Sequence, residues 1–224
     1  MSDLICDTYP MLLVMSRFGI ALGFGDKTIA EVCTDNKVDT KTFLAVVNVF
    51  TNDDGNKQKQ TQEHDFSIHA LIVYLKKSHS YFLDFKLPSI RRKLIEAIDH
   101  SNNDIALAII RYYDEYVAEV RKHMMYEEEI VFPYVESLLN EKESDEYSID
   151  IFCKKHDDVE AKLAELKNII IKYYPSKSTN ELNNALFDIF SCANDLAYHN
   201  RVENKLFVPA IKEAEAELNI KRKK

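Results

Sequence analysis

Two copies of one short pattern could carry chemistry in this 224-residue chain. His123-x-x-x-Glu127 is followed by Pro133, and His199-x-x-x-Glu203 is followed by Pro209. From His to Glu is 4 residues in both copies, and from His to Pro is 10. Each copy has a lone upstream histidine, His79 lying 44 residues before His123 and His156 lying 43 before His199. A helix turns every 3.6 residues, so residues i and i+4 project from one face a turn apart. An imidazole and a carboxylate placed that way can bind one metal ion or bridge a pair. Two such halves facing each other supply four imidazoles and two carboxylates, an inventory that suits two non-haem iron ions, which accept both ligand types. If Glu127 and Glu203 each bridge and each ion takes two histidines, every ion has four protein ligands. An oxo or hydroxo bridge makes five, and one position per ion stays open for dioxygen, nitric oxide or peroxide.

Other side chains are weighed against this set. Glu119 lies four before His123 and Asp195 four before His199. Each could accept the second N–H of its histidine, as carboxylates beside metal-bound imidazoles do, or simply line the polar edge of a helix. His156-x-x-x-Glu160 repeats the i, i+4 spacing but lacks the following proline. Glu160 is an additional ligand, a proton relay or a surface acid, and the missing proline favours the last. Glu128, Glu129 and Glu136 read as solvated acids. Tyr116 reads as a buried aromatic on the His123 face, and Cys153 and Cys192 as small inward-facing residues. His64, His69 and His100 have no partner at ligand spacing. Apolar residues flank the histidines: Leu75, Phe82 and Leu83 around His79; Phe152, Val159 and Leu163 around His156; Cys192, Leu196, Val202 and Leu206 around His199. A dry shell of this kind strengthens metal–ligand electrostatics.

The elements that must position these residues are long helices. Only 4 Gly and 5 Pro occur, and hydrophobic residues make up 46% of the chain, so a helical core is favoured over a turn-rich β fold. Four bundle helices are expected over 65–99, 103–139, 148–173 and 179–217, the first broken or kinked at Pro88. Its apolar stripe is Ile68, Leu71, Ile72, Leu75, Phe82 and Phe85. The short connections predict an all-α, antiparallel, up-down four-helix bundle. Counted from the turns, the histidine depths agree across two of the three connections and tolerably across the other. The fit is poorest across the turn between the second and third helices.

Ahead of the bundle, 1–50 reads as a small helical domain. Thr28 caps one helix, Asp39 or Thr40 caps another with an apolar face of Phe43, Val46, Val47 and Phe50, and Gly19, Gly23 and Gly25 mark a constrained turn. The polar stretch 51–63 reads as a linker, 64–217 as the bundle domain and 218–224 as a basic, frayed helix end.

Net charge is −8 and the isoelectric point about 5.4, an acidic balance that argues against nucleic acid as a partner. Cys6, Cys33, Cys153 and Cys192 are widely separated and form neither a disulfide framework nor a zinc motif, so a reducing cytoplasm is expected. No apolar run approaches the roughly 20 residues needed to cross a bilayer, and no membrane partner is expected.

Taken together, His79, His123-x-x-x-Glu127, His156 and His199-x-x-x-Glu203 on four bundled helices resemble the hemerythrin-like, or HHE, domain. More closely they resemble the repair-of-iron-centres proteins, in which four His and two Glu hold the iron pair. Oxygen-carrying hemerythrins instead use five His with one Glu and one Asp. The resemblance spans about 64–217. The first 50 residues are also similar to the small N-terminal domain of those repair proteins, with Gly25-Asp26-Lys27-Thr28-Ile29-Ala30-Glu31-Val32-Cys33 at its glycine motif. Family members carry two adjacent cysteines just before that glycine, where this chain has Gly23-Phe24. The resemblance implies a di-iron protein of nitrosative and oxidative stress defence that supplies iron to damaged iron–sulfur proteins. Two rival expectations are reversible binding or sensing of dioxygen or nitric oxide, and reduction of nitric oxide or peroxide. The missing cysteine pair moves weight toward the first rival.

Overall fold

The computed structural model describes residues 1–51, 65–98, 103–140, 147–155, 159–174 and 180–222. The expected linker, apart from Thr51, lies outside these residues, as do His64, His100 and His156. Every regular element among the described residues is helical, so the chain is all-α. Four short helices come first: α1 (Ser2–Asp7), α2 (Met11–Arg17), α3 (Ile29–Asp35) and α4 (Thr40–Thr51). Thr28 caps α3 in a reciprocal box, its side chain accepting the Glu31 N–H while Glu31 Oε2 accepts the Thr28 N–H at 2.8 Å. Asp39 accepts the Thr42 N–H at 2.8 Å and so opens α4. Gly19, Gly23 and Gly25 all take positive φ, the backbone constraint their clustering predicts.

Three of the longer helices contain a wide, π-type turn. α5 (Ile68–Ser80) passes through π1 (Tyr81–Lys86) into α6 (Leu87–Ala97). α7 (Asn103–Tyr126) passes through π2 (Glu127–Val131) into α8 (Phe132–Leu139). α9 (Ile149–Lys155) and α10 (Val159–Tyr173) follow. Finally α11 (Asn180–Val202) passes through π3 (Glu203–Phe207) into α12 (Val208–Arg222). Pro88, Pro133 and Pro209 are each the second residue of the α-helix that resumes. Proline has no N–H to return to the residue four back, and its ring crowds that carbonyl. A wide turn absorbs both problems. The Leu87 N–H reaches the Phe82 carbonyl and the Val208 N–H reaches that of Glu203, five residues back in each case.

The break or kink expected at Pro88 takes the form of one widened turn in a continuous helix. That turn also shifts the phase of the apolar stripe. Phe82 is fully buried, but Phe85, expected on the same face, is 62% exposed, and the buried face resumes at Leu87 and Ile90.

The chain packs as two compact units. One comprises 1–78, 131–153 and 198–224. Its core includes Met11, Val14, Met15, Phe43 and Val46. Phe18 sits edge-on to Phe43, Phe50 stacks on Tyr198 at 4.2 Å, and Phe132 meets Phe207 edge-on. Glu215 of α12 accepts from the Ile149 N–H at 2.8 Å, tying down the start of α9. Cys153, expected to face inward, is exposed.

The other unit comprises 79–130 and 154–197. Its core runs through Phe82, Leu87, Ile90, Tyr113, Tyr116, Val120, Leu163, Leu166, Ile189 and Cys192. Tyr113 donates to the Leu87 carbonyl at 2.8 Å. Asp188 receives Lys86 at 2.8 Å and also Lys93. Burial pushes the Asp188 carboxyl up, but the hydrogen bonds from the two lysines outweigh this and hold it below the ordinary carboxylate range.

Two outcomes follow. Thr28→Ala should cost about 1 kcal/mol in denaturant unfolding through loss of the cap. Because the folded pKa of Asp188 is depressed, its contribution is present above the unfolded value of about 3.9 and is lost as pH falls through the folded value. Asp188→Asn should therefore be less stable than the parent at neutral pH, and the gap should narrow below about pH 4 in a series of denaturation midpoints.

Candidate metal centre

The wide turns begin at or beside the expected ligands. Glu127 is the first residue of π2, Glu203 is the first residue of π3, and His79 lies two residues before π1. Glu127 and Glu203 are fully buried, and His79 and His199 are each 1% exposed. His123 keeps 10% of its side chain accessible.

Within the first cluster the Glu127 carboxylate spans two imidazoles. Oε2 lies 2.9 Å from His79 Nε2, and Oε1 lies 3.0 Å from His123 Nε2. In the second, His199 Nε2 lies 3.1 Å from Glu203 Oε1. One ligand atom from each of His79, Glu127, His199 and Glu203 lies within 4.8 Å of the other three. His123 joins this group through Glu127.

These donors fit a metal cation on two grounds. The first is spacing: adjacent ligands of an octahedral ion with bonds of about 2.1 Å are roughly 3 Å apart. The three N···O separations match that edge. The second is charge. Taking a carboxylate out of water is costly, and Glu127 and Glu203 are both buried beside imidazoles. A divalent cation would neutralise them and accept the imidazole lone pairs as well. Glu127 presents one carboxylate oxygen to each of two histidines.

The remaining sequence candidates divide. His156 lies outside the described residues, and so does the side chain of Glu160, although that residue belongs to α10. Asp195, four before His199, is buried at 6% exposure. Of the two readings of Glu119, support for His123 or the polar edge of the helix, its surroundings match the second. It lies on an exposed part of α7 and pairs with Lys162, whose ammonium satisfies it.

The acid on a histidine's second nitrogen is instead Glu128, which the sequence suggested was merely solvated. Its Oε1 lies 2.8 Å from His79 Nδ1. No spacing rule pointed to it, because the contact joins α5 to π2 across 49 residues and the second copy has Asn204 at the matching position. A signal for the third wide turn was present, since His79 precedes Pro88 by 9 residues, one fewer than in the two recognised copies.

Metal should stabilise the folded chain, because the unfolded chain has no assembled site. Iron(II) at about 100 times its dissociation constant should add about 2.7 kcal/mol. A rise in thermal midpoint on adding the metal, reversed by a chelator, checks this. An unchanged midpoint would count against the site.

Among curated proteins no sequence matches this chain. The profile of the hemerythrin HHE cation-binding domain does match, over residues 70–211. That span covers more than half of the chain and includes His79, His123, Glu127, His156, His199 and Glu203. With a cation-binding profile laid over a buried cluster of imidazoles and carboxylates at ligand spacing, the chain belongs to the hemerythrin family of HHE cation-binding domains.

Proposed function

We propose that the chain is a non-haem di-iron protein of nitrosative and oxidative stress defence that supplies iron to damaged iron–sulfur clusters. The observation that carries the di-iron part is the Glu127 carboxylate, which faces His79 with one oxygen and His123 with the other. That arrangement suits a bridge between two ions better than chelation of one. His79, His123, His156 and His199 would be the nitrogen ligands, and Glu127 and Glu203 the bridging acids, with an oxo or hydroxo group completing the pair. When bound, iron supplies a redox-active centre with a free position for dioxygen, nitric oxide or peroxide. The side chains hold the ions, orient the lone pairs toward them and exclude water. If these six side chains held two ions, each ion would have few protein ligands, which would favour release to a stronger acceptor. The iron–sulfur role also rests on the resemblance of the first 50 residues to the repair proteins. The cytoplasm, where such clusters are assembled, is the compartment this role implies.

A second reading is reversible binding or sensing of dioxygen or nitric oxide, and one observation favours it. His79, Glu127, His199 and Glu203 are each at most 1% exposed, so a diatomic molecule reaches them more readily than a protein acceptor does. The absence of a cysteine pair before Gly25 points the same way. Turnover of nitric oxide or peroxide would use the same free position.

Iron content separates the proposal from a metal-free bundle. The parent chain should bind about two iron ions, as expected for paired carboxylate-bridged sites. His79→Ala and Glu203→Ala should lose most of that iron while retaining helix content. A repair protein should give up iron to an apo-cluster acceptor and restore the acceptor's activity. A chain that keeps its iron and shows a reversible oxygenated spectrum would instead be a gas-binding protein. Consumption of many equivalents of nitric oxide with a reductant would make it an enzyme.

A further inference from the structure

His79 is gripped by two carboxylates, one at each ring nitrogen. Nε2 lies 2.9 Å from Glu127 Oε2 and Nδ1 lies 2.8 Å from Glu128 Oε1. The imidazole is 1% exposed, whereas 41% of the Glu128 side chain is accessible to solvent. We infer that Glu128 is a positioning residue of the metal centre: its carboxylate accepts the His79 Nδ1–H and so leaves the Nε2 lone pair for the cation.

A neutral imidazole has one N–H and one lone pair, and its two nitrogens exchange these roles between tautomers. With the hydrogen on Nδ1, the ring donates to Glu128, and Nε2 faces Glu127 as a second electron-rich atom. Two such atoms 2.9 Å apart repel until a cation lies against both. With the hydrogen on Nε2, the ring donates to Glu127 instead. That single hydrogen bond occupies a ligand atom of His79 and one of Glu127, and it competes directly with metal. A cation on Nε2 requires the hydrogen to sit on Nδ1, and Glu128 supports that tautomer by accepting it in a charge-assisted hydrogen bond. A carboxylate on the second nitrogen also raises the basicity of the ligating nitrogen and fixes the plane of the ring.

The placement of Glu128 suits this role. Glu127 and Glu128 are the first two residues of π2, and consecutive helical residues project about 100° apart. One reaches the metal side of the ring while its neighbour reaches the far side. The partial exposure of Glu128 spares it most of the desolvation that a further buried acid would suffer. The other candidate in the same helical segment, Glu119, is held by Lys162.

This inference rests on the proposal that the site takes iron, and the experiment separates the two. Iron(II) affinity of the 224-residue chain is measured by anaerobic competition with a chelator, with helix content read from circular dichroism. The parent is compared with Glu128→Ala, Glu128→Gln and Glu129→Ala. Glu128→Ala should bind about 10- to 100-fold more weakly, at unchanged helix content. Glu128→Gln, whose amide oxygen still accepts the Nδ1–H but carries no charge, should fall between that variant and the parent. Glu129→Ala removes the same charge from the exposed neighbouring residue and should bind like the parent.

Parent-like affinity in Glu128→Ala overturns the role of Glu128 and leaves the iron proposal standing. So does an equal loss in Glu129→Ala, since bulk charge would then account for the effect. If Glu128→Ala loses helix content, Glu128→Gln decides: a partial loss of affinity supports the role and parent-like affinity overturns it. A parent chain that takes up no iron(II) overturns the proposal and this inference together.

Discussion

The constraint on which the structure depends is the burial of carboxylates beside imidazoles. Glu127 and Glu203 have no solvent exposure, and each lies about a hydrogen-bond length from histidine Nε2 atoms. Removing such charges from water is costly, and a cation held among them would offset that cost. A metal cation meets that need and uses the imidazole lone pairs at the same time. Hydrophobic packing contributes much of the folding free energy, as the sequestered faces around Phe82, Tyr113, Leu166 and Ile189 indicate. It does not explain why two acids should be enclosed. A site able to hold a cation would.

The three wide turns link sequence to this constraint. Each is followed by a proline in the first turn of the resumed helix, and each starts at a ligand or two residues after one. The proline removes a backbone donor, and the backbone responds by reaching one residue further. Residues within and after the turn are thereby re-aimed, as the exposure of Phe85 inside it and the burial of Leu87 just beyond it show. At π2 the same local geometry lets Glu127 and Glu128 address opposite nitrogens of one histidine. Metal-ligand spacing and proline spacing are thus two aspects of one local design.

Much of this was legible in the sequence, and the reasons differ from element to element. The i, i+4 pairs and the helix cap at Thr28 follow from local geometry, so they can be read directly. The inward faces of α4 and of most of α5 follow from apolar periodicity. Phe85 was misplaced because a strict 3.6-residue period does not anticipate an inserted wide turn. Pro88 predicts a break or kink, and the backbone meets it with a widened turn and then continues as helix. Glu128 was invisible because its partner is 49 residues away, and exposed acids on helices are common. Glu119 had the right spacing, but a lysine on another helix claimed it.

The most direct test of the central claim is anomalous diffraction at the iron absorption edge from crystals of the iron-loaded chain. Two peaks should lie in the cluster of His79, Glu127, His199 and Glu203, with Glu127 contacting both. A map without density there, or with iron held only by surface acids, would contradict the account.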